Sequence, residues 1–166
     1  KGIGTLNLSY AKCVFCGRCE EACPDAIKLG KDFELATKNK DDLIVGARRA
    51  VPLQERLFET LGNKVKNIFG RSLHIREVDA GSCNGCEWEL TALTNPVYDV
   101  SRFGIDFVAS PRHGDMLAVT GPVTRHMEIP LIKTYHATPE PKMVVAIGTC
   151  ACSGGIFQES YATLDG

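Results

Sequence analysis

Hydrophobic and polar positions alternate at the start of the chain. Leu6, Leu8 and Tyr10 are separated by polar neighbours, and this period of two predicts a short strand. Ile27-Lys28-Leu29 and Phe33-Glu34-Leu35 flank Gly30 and predict a small hairpin. Over 47–70 the period lengthens. Leu53, Leu57, Phe58, Leu61, Val65, Ile68 and Phe69 recur at helical spacing behind Pro52, which suits a first turn, and Gly70 is placed to end the helix. From 71 onward short apolar runs alternate with helical stretches. Strands are predicted over 73–78, 105–109, 116–120 and 143–148, the last as a buried strand. Helices are predicted from 87 to 93 and over 122–136, with a glycine-rich loop at 81–86 and a second loop at 149–155. Continuous apolar strands alternating with helices predict an α/β domain with a parallel sheet, whose ligands gather beyond the carboxyl ends of the strands. Three units follow: 1–46, a connecting helix over 47–70, and 71–166.

Composition changes this picture little. Of 166 residues, 44% are hydrophobic and 23% charged, the proportions of a globular chain. A formal net charge of −1 gives no argument for nucleic acid or an acidic lipid surface as partner. No apolar run is long enough for a spanning helix, and no secretion signal is visible. The first residue is Lys1, so the chain is expected to be trimmed or a fragment.

The cysteines change it most. Eight occur, at 13, 16, 19, 23, 83, 86, 150 and 152. Four fall within one short stretch at the spacings of metal sites, which argues for ligation in a reducing compartment over disulfides. Cys13-x-x-Cys16-x-x-Cys19-x-x-x-Cys23-Pro24 is the bacterial ferredoxin run. The physical reason is chelation. Cysteines at this spacing on a tight loop reach three corners of a cubane, Gly17 lets the backbone approach, and Pro24 turns the chain away after the last ligand. Zinc also accepts four thiolates, but its usual pattern is two separated pairs. Cys83-Asn-Gly-Cys86 alone could be a redox dithiol before a helix. Against that stands Cys150-Ala-Cys152 on an equivalent loop after another strand, which makes the two groups neighbours in space.

Several ordered motifs carry a closer likeness. Gly81-x-Cys83-x-Gly85-Cys86-Glu87, Ser110-Pro-Arg-His113 with Asp115, Thr120-Gly-x-Val-Thr-Arg125 and Gly148-x-Cys150-x-x-Ser-Gly-Gly155 together resemble the small subunit of membrane-bound nickel–iron hydrogenases, of the formate hydrogenlyase type. The related complex I subunit shares much of the pattern but has adjacent cysteines where this chain has Cys83 and Cys86. The resemblance covers roughly 60–166. It implies a flavodoxin-like parallel-sheet domain, preceded here by a small ferredoxin-like 4Fe–4S module.

The same resemblance implies 4Fe–4S clusters as cofactors. Cys13, Cys16 and Cys19 would hold one, while Cys23 would serve the same cluster or a second one, as in two-cluster ferredoxins. Cys83, Cys86 and Cys150 would hold another. Its fourth ligand in the family lies in a later Gly-Cys-Pro-Pro motif beyond Gly166, which implies truncation at that end; Cys152 is the alternative fourth ligand. The implied function is electron transfer to or from the nickel–iron centre of a partner hydrogenase large subunit. The chain would then be an oxidoreductase component within a membrane complex, peripheral on the cytoplasmic face. A complex I-type quinone reductase subunit and a free-standing ferredoxin-like carrier are the alternatives.

Other residues are weighed more lightly. Glu87 and Glu89 flank Trp88 at a helix start, where the helix dipole alone favours acids, and the resemblance places an acid at Glu89. Arg112, His113 and Arg125 are expected in loops on the cluster side, where cations would raise a cluster potential. His74, His126 and His136 read as packing or surface residues.

Overall fold

Four parallel strands build the body of the protein, and their register follows from where the apolar residues fall. The computed structural model describes residues 7–30, 36–39, 44–46, 66–67 and 69–166. Strands β3 (Leu73–Asp79), β4 (Ile105–Phe107), β5 (Met116–Thr120) and β6 (Met143–Ile147) lie in the order β4-β3-β5-β6. Every neighbouring pair is parallel, with Ile75 beside Phe107 and Met116, and Ala118 beside Val145. Because β4 and β5 fall on opposite sides of β3, the connections reverse direction between β3 and β5. A ligand crevice opens at such a reversal, beyond the carboxyl ends of the strands.

Two apolar layers hold the sheet. Val78, Ala80, Leu117 and Val119 pack against Val123 and against Met127 and Leu131 of helix α3 (Arg125–Ala137). Leu73, Ile75 and Ala118 form the other layer with Phe69, Ile105, Phe107, Met116, Met143 and Ile147. Asp115 pins the amino end of β5. It is only 4% exposed, accepts both guanidinium N–H bonds of Arg71 at 2.8 and 2.9 Å, and accepts the His74 amide at 3.0 Å.

Several expectations need correction. The strand predicted over 143–148 is an edge strand, and Val144, Val145 and Ala146 are exposed because no described element covers it. The helix predicted from 122 starts at Arg125. The chain must first turn back to β3, with the Thr124 amide bonded to the Ala80 carbonyl at 2.9 Å, before helical geometry can begin. The stretch 149–155 is not a loop throughout: Thr149–Ser153 is a short helix, α4, followed by a 3-10 turn at Gly155–Phe157. Pairing of β4 stops at Phe107, earlier than 109, because the chain crosses there to the start of β5.

At the amino end, β1 (Asn7–Ser9) pairs antiparallel with β2 (Ile44–Gly46), a partner the sequence pattern did not reveal. A 3-10 turn (Tyr10–Lys12) and helix α1 (Arg18–Ala22) follow β1. Residues 27–29 form no strand. A turn after Cys23 takes the chain back, and the Leu29 amide donates to Glu20 at 3.3 Å. The second half of the expected hairpin, Phe33 to Leu35, lies outside the described residues, as does nearly all of the connecting helix over 47–70. Gly70 does end a helical turn, with φ at +61° and its amide on the Lys66 carbonyl at 2.9 Å.

Candidate iron–sulfur centres

Helix α2 (Gly85–Ala92) follows β3, and α4 follows β6. In each, a cysteine is the second helical residue behind a cap with positive φ: Cys86 behind Asn84 at +69°, and Cys150 behind Gly148 at +84°. Both thiols therefore stand beyond the carboxyl ends of strands, where sheet topology places a ligand. The loop carrying Cys83 is shaped by Asp79, whose carboxylate accepts the Gly81 and Ser82 amides at 2.8 and 2.7 Å. Those bonds, Ser82 first, hold the Asp79 carboxyl below its usual range against the opposing effect of burial. The loop after β5 closes over this one so tightly that a Cβ on Gly121 would meet the Ser82 nitrogen at 2.7 Å.

The structure brings Cys83, Cys86 and Cys150 close enough for their charges to interact, with a glycine beside each sulfur. A Cβ on Gly148 would lie 2.5 Å from the Cys86 Sγ; one on Gly155 would lie 3.1 Å from the Cys150 Sγ; one on Gly85 would lie 3.5 Å from the Cys83 Sγ. Each of the three sulfurs thus faces a glycine. Burial pushes the Cys86 thiol up, and the charges of Glu87, Cys83, Cys150 and Cys152 push the same way. Burial and then Cys83 push the Cys150 thiol up. Thiols whose ionisation is resisted first by burial and then by one another suit a shared metal core, whose positive charge opposes both effects. Among the described residues no group of three or more Cys, His, Asp or Glu closes on a single ion. A multinuclear cluster takes its thiolates on separate irons and so ranges them more widely than one zinc ion at about 2.3 Å does. The donor set, with a glycine beside each sulfur, suits an iron–sulfur group. Cys152 points elsewhere than Cys150, as alternate helical positions must, with its Sγ 3.8 Å from the Ala146 carbonyl.

The first run is more open. Cys13 is half-buried, and Cys16, Cys19 and Cys23 are exposed. Cys13 and Cys16 lie on the loop before α1, Cys19 lies in α1, and Cys23 caps that helix with its amide on the Cys19 carbonyl at 3.1 Å. The Phe15 amide donates to the Cys13 Sγ at 3.4 Å, the kind of N–H···S contact a cluster loop provides. Tyr10 and Phe15 stack beside it, with ring centroids 6.1 Å apart.

Not all the expected neighbours are present. Arg112 and His113 sit with Arg71 and His74 beside the amino-terminal half of β3, away from the thiols, because the segment after β4 drops back to begin β5. Arg125 lies at the right end, but its Nε donates to the Tyr161 carbonyl at 2.6 Å and ties down the last residues. Of the two acids beside Trp88, Glu89 is exposed and Glu87 turns inward. Both Glu87 oxygens are buried without a hydrogen-bond partner, facing a cavity of about 340 Å³ lined also by Arg76 and Glu77. Burial raises the Glu77 carboxyl above its usual range, Thr120 opposes this with a hydrogen bond, and Glu87 adds to it.

Residues 83–165 match the family described as "NADH ubiquinone oxidoreductase, 20 Kd subunit", and residues 7–27 match the 4Fe–4S binding domain. The chain belongs to the 20 Kd subunit family of NADH ubiquinone oxidoreductase. It is 46% identical to "Formate hydrogenlyase subunit 7" of Escherichia coli over 58% of this chain and 38% of that protein. It is also 46% identical to "Probable membrane-bound hydrogenase subunit mbhJ" of Pyrococcus furiosus, over 66% of this chain and 65% of that one. Among solved structures, a chain of the membrane-bound sulfane sulfur reductase, an archaeal respiratory membrane complex, superposes with a TM-score of 0.51. That match has 37% identity and covers 65% of this chain and 58% of the other. The chain thus spans less than two thirds of the length of these relatives. The family and the α/β fold expected from the motifs are confirmed, as is 4Fe–4S binding by the amino-terminal segment. No described helix is long and apolar enough to cross a membrane.

Proposed function

We propose that this chain is the iron–sulfur electron-transfer subunit of a membrane-bound hydrogenase-type complex, passing electrons to or from the nickel–iron centre of a partner large subunit. The carrying observation is the second centre, where Cys83, Cys86 and Cys150 converge beyond the sheet and each sulfur faces a glycine. In this reading these three cysteines hold one 4Fe–4S cluster, with a fourth ligand from a later segment or Cys152. Cys13, Cys16 and Cys19 hold another, with Cys23 on the same cluster or a further one. Each cluster, when bound, takes up and releases one electron. The protein's own part is to fix the thiolates on short loops braced by Asp79 and the close approach at Gly121, so that little reorganises as charge moves.

The units 1–46, 47–70 and 71–166 then serve as donor-side module, connector and partner-facing domain, peripheral on the inner face of the membrane. Exposed Trp88, two residues after Cys86, supports a partner at the second centre. The family match itself favours one second reading, a quinone-reducing subunit of the complex I type.

Anaerobic co-purification with metal analysis separates the two. A nickel-containing partner with iron and acid-labile sulfide on this chain is expected. A quinone-reducing complex without nickel would transfer the assignment to the second reading, and stoichiometric zinc in place of iron would overturn both.

A further inference from the structure

Helix α4 does more than present Cys150. Two of its hydroxyls reach into the amino-terminal segment, more than a hundred residues away in sequence. Thr149 Oγ1 donates to the carbonyl of Cys13 at 2.8 Å, and Ser153 Oγ donates to the carbonyl of Ala11. These residues are one helical turn apart and so share a face. The two carbonyls they meet lie two residues apart, around the end of the 3-10 turn. The contact is dry: Ala11, Ala151 and Ser153 are all buried. The Ser153 hydroxyl also donates to the Thr149 carbonyl within α4 at 3.2 Å.

We propose that Thr149 is the bridge between the two cysteine centres. Cys13 belongs to one, and Cys150, the residue that follows Thr149, to the other. From the Cys13 sulfur through its carbonyl, across the Thr149 hydroxyl and along one peptide bond to Cys150, the path is covalent except for a single hydrogen bond of 2.8 Å. This deepens the relay function proposed above and rests on it. One electron leaves the group held by Cys13, which is oxidised, and arrives at the group held by Cys150, which is reduced. No bond breaks and no proton moves. Ser153 docks the same segment but lies off this path, which separates bridging from docking.

The test uses the cluster-loaded full chain, reduced by a flash-generated viologen radical, with arrival of the electron at each centre followed by freeze-quench EPR. Thr149→Val keeps the shape but replaces the hydrogen bond with a van der Waals gap of about 3.5–4.0 Å, and the transfer is expected to slow about tenfold. Thr149→Ala, which cannot clash, should behave alike. Thr149→Ser should restore the wild-type rate, and Ser153→Ala should leave it within a few-fold. Wild-type speed in Thr149→Val and Thr149→Ala, or equal slowing in Ser153→Ala, overturns the bridge. Failure of the wild-type chain to pass any electron between its centres overturns the relay function as well.

Discussion

Gly148 stands against the Cys86 sulfur of the proposed second centre, and replacing it with alanine tests the geometry directly. Its backbone, at φ +84° and ψ 160°, lies in a region open essentially to glycine alone, where another residue costs about 1–3 kcal/mol. The added methyl would lie 2.5 Å from the Cys86 Sγ, about an ångström inside ordinary contact. Relieving such overpacking costs about a further 1–3 kcal/mol, and the cheapest relief is to push the thiol away. Gly70→Ala is the control. Its φ of +61° carries the left-handed penalty of about 1–2 kcal/mol, but no atom lies within 4 Å of the new methyl. Both variants should lose thermal stability, Gly148→Ala by more. After anaerobic reconstitution only Gly148→Ala should lose the iron, sulfide and EPR signal of the second centre while keeping those of the first. Equal iron content in the two variants would falsify the claim that Gly148 makes room for a ligand sulfur.

Three further outcomes are expected. Asp115→Ala removes the acceptor of the buried His74 amide and of Arg71, which is itself 48% exposed and therefore partly screened. The cost should be about 2–3 kcal/mol by urea unfolding, with less in Asp115→Asn; a loss below measurement would show that the pin is idle. Glu77 binds its proton more tightly folded than unfolded, so the stability it contributes is full below the ordinary glutamate value of 4.5 and falls as pH rises through the raised folded value. Glu77→Gln should therefore flatten the decline of melting temperature over that window, and an unchanged slope would refute the assignment. Asp79 has the opposite sign. Its contribution is present above the ordinary aspartate value of 3.8 and lost as pH falls through its lower folded value, so Asp79→Ala should cost about 1 kcal/mol at neutral pH, measured by thermal melts, and progressively less in acid.

Much of the domain after residue 71 was legible because parallel strands buried between layers read as apolar runs, and Met116–Thr120 appears with the bounds its pattern predicts. The edge strand β6 has the same apolar composition without the burial, since composition cannot tell an edge from a centre. The cysteines proposed as ligands announced themselves by spacing. Asp79 did not, although an aspartate two residues before a glycine is a recognisable turn signal. Position decided Glu87 against Glu89, because residues two apart on a helix face directions about 200° apart and only packing shows which one turns inward. The misplacement of Arg112 and His113 has a similar cause. A loop between parallel strands must travel from one end of the sheet to the other, and sequence does not say where along that route a given residue stops.

The short helix α4 owes its form to tertiary contacts more than to its sequence. As a stretch of Thr-Cys-Ala-Cys-Ser between glycines it has no helical periodicity to detect, and its five residues would not form a stable helix alone. Tertiary contacts supply what propensity does not. Cys150 faces the crevice, Ala151 is buried, and Thr149 and Ser153 dock the segment that begins the ferredoxin-like run. A helix formed only when both sides are in place has a consequence for order of assembly. Loss of both hydroxyl contacts together should loosen Cys150 as well as Cys13. The two centres are therefore coupled in folding through the docking pair Thr149 and Ser153, of which Thr149 alone lies on the proposed electron path.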